Sequence, residues 1–156
     1  RIMVAGIPNT GKSTIINALS GGKKTVTGDK AGVTKGKQWV RLKDMDLLDT
    51  PGTMPPAFQN QTYAVHLAYL GSMNDANIDF EDLAFEFISE FKVRFPELLK
   101  NKYGIENLDA EPIDIFNEIC VKRGFLMKGG EYDYARCSKA IIDDFRKGRT
   151  GKVVLD

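Results

Sequence analysis

A glycine-rich stretch near the start of the chain, GIPNTGKST from Gly6 to Thr14, constrains the fold more than any other feature. An apolar run of strand length, Arg1 to Ala5, precedes it, and a segment with helical periodicity, Ile15 to Leu19, follows it. Glycine permits a tight turn and a close approach of backbone N–H groups to an anion, and the next helix points its positive end at that anion. The order strand, loop, helix therefore predicts a phosphate-binding loop in an α/β fold.

The residue types in this loop suit a nucleoside triphosphate bound with magnesium. We expect the Lys12 ammonium to reach the β and γ phosphates and the Ser13 hydroxyl to ligate Mg²⁺. The alternative is an accidental glycine-rich turn, which the flanking strand and helix disfavour. The predicted nucleotide-binding residues of the loop are Asn9, Thr10, Gly11, Lys12, Ser13 and Thr14.

A second motif, MDLLDTPG from Met45 to Gly52, is an apolar strand that ends in an acid and is followed by a glycine. We expect Asp49 to hold Mg²⁺ through water and the Gly52 N–H to sense a γ-phosphate. Thr34 lies between the motifs in a polar, glycine-rich segment, where a threonine is usually only a turn residue, but it is placed to complete the metal shell. The predicted metal ligands are Ser13, Thr34 and Asp49.

The second half of the chain has the periodicity of amphipathic helices. The apolar stripes run from Phe80 to Phe91 before Pro96, from Ile113 to Cys120 before Gly124, and from Tyr134 to Phe145 before Gly148. A further apolar segment, Gln61 to Leu70, predicts a helix that ends at Gly71 and holds the single histidine, His66, in a structural role. We therefore predict an α/β phosphate-loop portion over residues 1–74 and a small all-α domain over residues 75–156.

The formal net charge of +1 conceals a segregation of charge. Residues 1–52 hold nine Lys/Arg against four Asp/Glu, residues 53–119 four against twelve, and residues 120–156 nine against five. Solvated faces explain most single runs of charge, and a polyanionic partner is the alternative. On the last predicted helix and the tail, the face opposite the apolar stripe carries the cations of a plausible phosphate-contacting surface: Arg136, Lys139, Arg146, Lys147, Arg149 and Lys152.

The two cysteines, Cys120 and Cys137, lie in predicted helices without CxxC spacing. Buried, reduced thiols and an intracellular compartment are therefore expected. No segment approaches the length and hydrophobicity of a membrane span, so no membrane partner is expected.

Five stretches carry a family resemblance: GIPNTGKSTIINAL, TGDKAGVTKGKQWV, LLDTPG, KRGFLMKGG and DFRKGRTGK. Over its whole length the chain resembles the circularly permuted ribosome-biogenesis GTPases of the RbgA/YlqF type. The resemblance implies an incomplete, permuted GTPase portion followed by the helical domain, with GTP as the nucleotide. It also implies assembly of the large ribosomal subunit, contact of the helical domain with ribosomal RNA rather than DNA, and a cytoplasmic location, or an organellar one in a eukaryote.

The guanine-recognition motif Asn-Lys-x-Asp does not follow Gly52 in the usual way. The single Asn-Lys pair, Asn101-Lys102, lacks the aspartate and precedes Gly104, as at the end of a helix. In the resembled family the motif precedes the phosphate loop, so we expect it ahead of Arg1.

Thr53 follows Gly52, where many GTPases place a water-orienting glutamine. The resembled family likewise lacks that glutamine, and the resemblance implies that Asn9 helps to hold a K⁺ that stabilises charge between the phosphates. Asn9 and Lys12 are therefore the expected catalytic residues, with an ordinary turn role as the alternative for Asn9.

The leading hypothesis is a GTP-hydrolysing switch that is slow when alone and is activated by the ribosome. One alternative is an RNA-binding or scaffolding fragment with a vestigial nucleotide site. The other is an ATPase or kinase that uses the same phosphate loop.

Overall fold

The computed structural model describes residues 1–28, 32–54 and 60–155. The chain divides into two compact units, Arg1–Asn77 and Ile78–Asp156. The first unit contains a sheet with helices, and the described elements of the second are all α-helices. The predicted succession of an α/β portion and a helical portion is confirmed. Residues 29–31 of the predicted switch segment lie outside the described residues.

The first unit is built on a sheet in which strand β3 lies between β1 and β2. β3 pairs in parallel with β1 and antiparallel with β2. Because β1 and β3 are parallel, their carboxyl ends meet at one edge, where Val4 lies opposite Asp49. The bounds are β1 Ile2–Val4, helix α1 Lys12–Leu19, β2 Gln38–Arg41, β3 Asp46–Asp49 and helix α2 Gln61–Tyr69, with a 3-10 turn at Asp75–Asn77.

Helix α1 covers one face of this sheet through a small apolar core. Ile16 from α1 is fully buried together with Val40 from β2 and Leu47 from β3, and Val4 and Leu42 pack against them. Side chains two positions apart along a strand point to the same face, which explains why Val40 and Leu42 both meet this core. The packing holds the start of α1 beside the carboxyl ends of β1 and β3, which is where the two predicted motifs lie.

The second unit contains helices α3 Phe80–Arg94, α4 Pro96–Tyr103, α5 Pro112–Lys122 and α6 Tyr134–Arg146. The three predicted amphipathic helices are confirmed as α3, α5 and α6. Pro96 ends α3 and also starts α4, because proline is tolerated in the first turn of a helix and not in its interior. Gly104, with φ of 69°, ends α4 as expected of a helix cap.

Aromatic side chains fill the core of the second unit. Phe87 and Phe91 on α3 stack at 3.8 Å between ring centroids, and Phe145 of α6 meets them edge-on at 5.2 and 5.5 Å. The edge-to-face contacts of Phe145 are among the favourable geometries for such rings. Cys120 and Cys137 are buried as free thiols, as predicted, and burial raises the pKa of both.

A buried carboxylate ties three parts of the second unit together. Asp144 on α6 is 2% exposed, and its oxygens lie 3.3 Å from Lys102 Nζ, 3.0 Å from Arg123 Nη1 and 3.3 Å from Arg149 Nη1. Burial acts to raise its pKa, but the hydrogen bonds from Arg149 and Lys102 and the charges of Lys102 and Arg123 outweigh it, so the pKa of Asp144 is lowered. Nothing in the local sequence pattern marked this network.

His66 is buried within α2, in agreement with the predicted structural role. Among the described residues, no helix combines the length and the apolar character that a bilayer crossing requires.

Candidate functional site

A cavity of about 430 Å³ opens at the edge of the sheet where β1 and β3 end, within the size range of small-molecule sites. The loop after β1 forms one wall, and the segments before β2 and after β3 contribute the others. Its lining includes every residue predicted to bind the nucleotide, namely Asn9, Thr10, Gly11, Lys12, Ser13, Thr14, Thr34 and Gly52. Binding by these residues stays a prediction, but the structure brings them to one place.

The three predicted metal ligands converge beside this cavity. Ser13 Oγ donates a hydrogen bond to Asp49 Oδ2 at 2.9 Å and lies 3.2 Å from Thr34 Oγ1. Asp49 is fully buried, and its Oδ1 has no hydrogen-bond partner among the described residues. A buried, unpartnered carboxylate oxygen is costly, and a cation would satisfy it. Two hydroxyls and a carboxylate are also the oxygen ligands that Mg²⁺ prefers, so these residues fit the predicted ion.

Lys12 is held within the phosphate loop. It is the first residue of α1, directly after Gly11, whose φ of 80° is in the left-handed region that glycine tolerates. The buried Lys12 side chain folds back so that Nζ donates to the Ile7 carbonyl at 2.6 Å. An ammonium has three donors, so this contact leaves two for phosphate oxygens. Burial and this hydrogen bond hold the positive charge of Lys12 at the phosphate loop rather than in solvent.

Gly52 packs directly against the phosphate loop. A Cβ placed on Gly52 would lie 2.5 Å from both the Cα and the N of Pro8, far inside ordinary contact distance. Next to it, the Thr53 N–H donates to the Gly6 carbonyl at 3.3 Å. Glycine is therefore required here by the close approach of two backbones. A shift of the phosphate loop would therefore displace the segment after β3.

The end of α2 is tied to the other side of the same loop. Asn9, with φ of 58°, donates from Nδ2 to the Leu70 carbonyl at 3.2 Å, and the buried Ser72 donates from Oγ to the Pro8 carbonyl at 2.8 Å. Sequence reasoning missed Ser72, because the contact joins residues 64 positions apart and belongs to no local motif. The Asn9 bond uses the amide nitrogen and not the side-chain oxygen that a cation would contact.

A second residue that sequence reasoning missed is Asn17 on α1. Its Oδ1 accepts hydrogen bonds from the backbone N–H groups of Lys24 and Thr25, both at 2.8 Å, and from Thr25 Oγ1 at 3.1 Å. Thr25 Oγ1 also lies 3.1 Å from the Ser13 carbonyl, to which it can donate. Asn17 thus fixes the start of the segment that leads to Thr34. The only sequence signal was an asparagine inside a helix, where it is a poor helix former.

Comparisons with known proteins agree with the geometry. The family described as "50S ribosome-binding GTPase" matches residues 1–116. Ribosome biogenesis GTPase A of Bacillus licheniformis is 40% identical over 157 residues, which cover 100% of this chain and 56% of that protein. The corresponding protein of Thermotoga maritima is 34% identical, with 100% and 56% covered.

Among solved structures, the GNP-bound crystal structure of YlqF from T. maritima superposes with a TM-score of 0.61 at 32% identity. The match covers 97% of this chain and 56% of that one. The GDP-bound YlqF structure gives a TM-score of 0.60 at 29% identity, covering 96% and 57%. The chain thus spans about half the length of the curated relatives that it matches. The resemblance expected from the motifs is confirmed.

Proposed function

Since the chain belongs to the family of 50S ribosome-binding GTPases, we propose that it forms the phosphate and metal half of a GTP-hydrolysing switch. The observation that carries this proposal is the convergence of Ser13, Thr34 and Asp49, with contacts of 2.9 and 3.2 Å, beside the Lys12 loop. The three residues come from separate segments of the chain. A buried carboxylate oxygen without a hydrogen-bond partner among the described residues is costly, which supports a site that still binds a cation.

Hydrolysis of GTP breaks the bond between the γ-phosphorus and the bridging oxygen after in-line attack by water, and catalysis rests on positioning and charge. When bound, Mg²⁺ supplies positive charge to the β and γ oxygens. Lys12 would add a second positive charge from within the loop, and the Gly52 N–H would contact the γ-phosphate. Thr53 offers no amide side chain to orient the water, so turnover is slow without an activator.

Asn9 is proposed to assist through K⁺. Asn9 lines the cavity, and its Nδ2 is committed to the Leu70 carbonyl, so its side-chain oxygen is the atom that could serve a cation. The side-chain oxygen is a hard ligand of the kind that K⁺ accepts. This placement supports a role for Asn9 beyond that of a turn residue.

The guanine-recognition motif is proposed to precede the phosphate loop in the full-length protein, in a circularly permuted order. The position of the Asn-Lys pair supports this. Asn101 and Lys102 belong to the last turn of α4 in the helical unit, and Lys102 is engaged by the buried Asp144 at 3.3 Å. A lysine committed to a structural ion pair is not available to a base.

The partner is proposed to be the large ribosomal subunit, contacted through ribosomal RNA by the helical unit, in the cytoplasm. Support comes from the name of the matched family and from the relatives, which are called ribosome biogenesis GTPases. It also comes from the excess of cations in residues 120–156, nine Lys/Arg against five Asp/Glu.

The proposal is tested by Asp49→Asn in the full-length protein. Fluorescent GTP and ATP are titrated against the wild type and the variant with and without Mg²⁺, and hydrolysis is followed with and without large subunits. The wild type should prefer GTP, and the variant should lose the Mg²⁺-dependent part of binding and the stimulated hydrolysis. Asp46→Asn is the matched control, because Asp46 lies on the same strand and, among the described residues, its carboxylate is paired with the exposed Arg1 and Arg41 at 3.9 and 3.5 Å.

The alternatives predict different results. A scaffolding fragment with a vestigial site would bind subunits but not GTP. An ATPase or kinase would bind ATP in preference to GTP. Equal affinity of wild type and Asp49→Asn for GTP with Mg²⁺ would refute the metal site.

A further inference from the structure

In the structure, the two ends of the predicted basic face of α6 and the tail differ in how far their cations are paired with acids. At the C-terminal end, Lys147 Nζ lies 2.8 Å from Asp143, and Arg149 Nη1 lies 3.6 Å from Asp143 and 3.3 Å from Asp144. Arg146, expected to face solvent, is only partly exposed, with its guanidinium 5.6 Å from the Phe80 ring centroid. The expectation of exposure was wrong for Arg146. Much of the charge at this end is already compensated within the protein.

The N-terminal end of α6 is different. Arg136 and Lys139 are exposed one helical turn apart, and within the described residues neither forms an ion pair. Lys128, in the loop that leads to α6, is likewise exposed and has no ion pair among the described residues. The nearby acids are Glu131, which is exposed, Asp133, whose carboxylate caps α6 by accepting from the Arg136 N–H at 3.0 Å, and Asp143, one helical turn after Lys139. Three cations therefore face three acids, of which Asp133 is engaged by the helix and Asp143 is paired at the other end of α6.

The loop before α6 is an ordered turn that displays apolar side chains beside these cations. Leu126 pairs with Tyr132, and the Met127 N–H donates to the Glu131 carbonyl at 2.7 Å. Leu126 and Met127 are 43% and 48% exposed, so both offer apolar surface beside the cations. The Arg136 guanidinium lies 5.0 Å from the Phe125 ring centroid, so its charge is held in place next to this turn.

The tip of the turn is made by Gly129 and Gly130, with φ of 105° and 87°. A Cβ on either glycine would meet nothing within 4 Å. The glycines are thus explained by backbone conformation, and the backbone at the tip is open to a ligand. The Gly130 N–H closes the turn by donating to the Met127 carbonyl at 3.1 Å, so the tip offers space beside the cations and not a row of free donors.

We propose that the turn surface, defined as Leu126–Gly130 with Arg136 and Lys139, is the RNA-contacting surface of the helical unit. This proposal rests on the proposed function and moves the contact away from the C-terminal end of α6. Uncompensated cations bind the phosphate backbone, and a guanidinium plane such as that of Arg136 can stack on an unstacked base of a single-stranded loop. A protein partner with an acidic patch is the competing occupant, and the experiment separates the two.

The test compares two double variants of the full-length protein that each remove two positive charges. Arg136→Gln with Lys139→Gln changes the turn surface, and Lys147→Gln with Lys152→Gln changes the other end. Binding to purified large subunits and to their protein-free RNA is measured over a salt series. Each lost phosphate contact should flatten the logarithmic salt slope by about 0.7 to 0.9. If affinities converge near 1 M salt, the turn-surface variant should bind roughly 15- to 30-fold more weakly at 0.15 M.

The expected result is a large loss for the turn-surface variant on both subunits and RNA, and a small loss for the other variant. Equal losses for the two variants would overturn the proposal in favour of nonspecific charge. Weakened binding to subunits with unaltered binding to RNA would overturn it in favour of a ribosomal protein. Lys139→Gln alone is the second variant, since Lys139, unlike Arg136, has no aromatic ring against its charged group among the described residues.

Failure of this inference is distinguishable from failure of the proposed function. GTP affinity should be unchanged in every variant, because the nucleotide cavity is lined by residues of the first unit. A wild-type protein that binds GTP but neither subunits nor RNA would refute the proposed partner itself.

Discussion

Replacing Gly52 with alanine tests the contact between the phosphate loop and the segment after β3. The backbone of Gly52 does not adopt a left-handed φ, so alanine is not excluded by conformation. The cost comes from contact alone, because the new Cβ would lie 2.5 Å from Pro8 Cα and N. Both are backbone atoms, which cannot turn aside as a flexible side chain can.

The magnitude follows from the missing distance. Carbon atoms pack at about 3.5 to 4.0 Å, so Pro8 and Gly52 must separate by about 1 Å. Overpacking of this kind typically costs about 1–3 kcal/mol, whereas glycine to alanine at an open site stabilises by about 0.4–1 kcal/mol. Gly22 and Gly36 are open sites of the first unit, with nothing within 4 Å of a Cβ and no left-handed φ. Gly52→Ala is therefore predicted to lower the free energy of unfolding, whereas Gly22→Ala or Gly36→Ala is predicted to raise it.

The assay combines urea unfolding with titration of fluorescent GTP and GDP in the full-length protein. Gly52→Ala should lower the free energy of unfolding, and the displaced loop should weaken GTP binding by about tenfold, which corresponds to about 1.4 kcal/mol. GTP should lose more affinity than GDP, because the Gly52 N–H is expected to contact the γ-phosphate. If Gly52→Ala matched Gly36→Ala in stability and in GTP affinity, the inferred close approach would be wrong.

Three further predictions concern single side chains. Lys12→Ala should remove most triphosphate binding and Ser13→Ala only the Mg²⁺-dependent part, and unchanged affinity of both in a GTP titration would contradict the site. Replacing K⁺ with Na⁺ should slow GTP hydrolysis, and Asn9→Ala should erase that difference; equal rates of the wild type in both salts would leave Asn9 a turn residue. The interactions that lower the pKa of Asp144 stabilise the folded state. Their contribution is complete above pH 3.8, the ordinary pKa of an aspartate, and is lost as the pH falls below that value. Asp144→Asn should therefore reduce the free energy of unfolding by about 2 kcal/mol at neutral pH and flatten its decline in acid, as measured by urea unfolding at several pH values.

Local sequence patterns were sufficient to predict most of the helices and strands. The turn at Gly11, the start of α1 at Lys12 and the three amphipathic stripes depend on glycine conformation and on helical periodicity, which a few neighbouring residues set. For two of the metal-ligand candidates, local patterns gave the position in an element, and strand pairing gave their proximity. Ser13 and Asp49 are each placed by the end of a strand or the start of a helix, and parallel pairing of β1 with β3 brings the two ends together.

The tertiary structure decided the contacts between distant positions. Ser72 reaches Pro8 across 64 positions, and Asp144 collects Lys102 and Arg123 from other helices. Neither has a local signature, because a hydrogen bond or an ion pair depends on how the chain closes and not on spacing along it. The face of α6 shows the difference. Its sequence determined a row of cations, and the i,i+4 spacing of Asp143 and Lys147 already permits their ion pair. Only the tertiary positions of Asp144 and Phe80 decided how Arg149 and Arg146 are engaged, since a neighbouring carboxylate or ring engages a cation that the helical pattern alone leaves exposed.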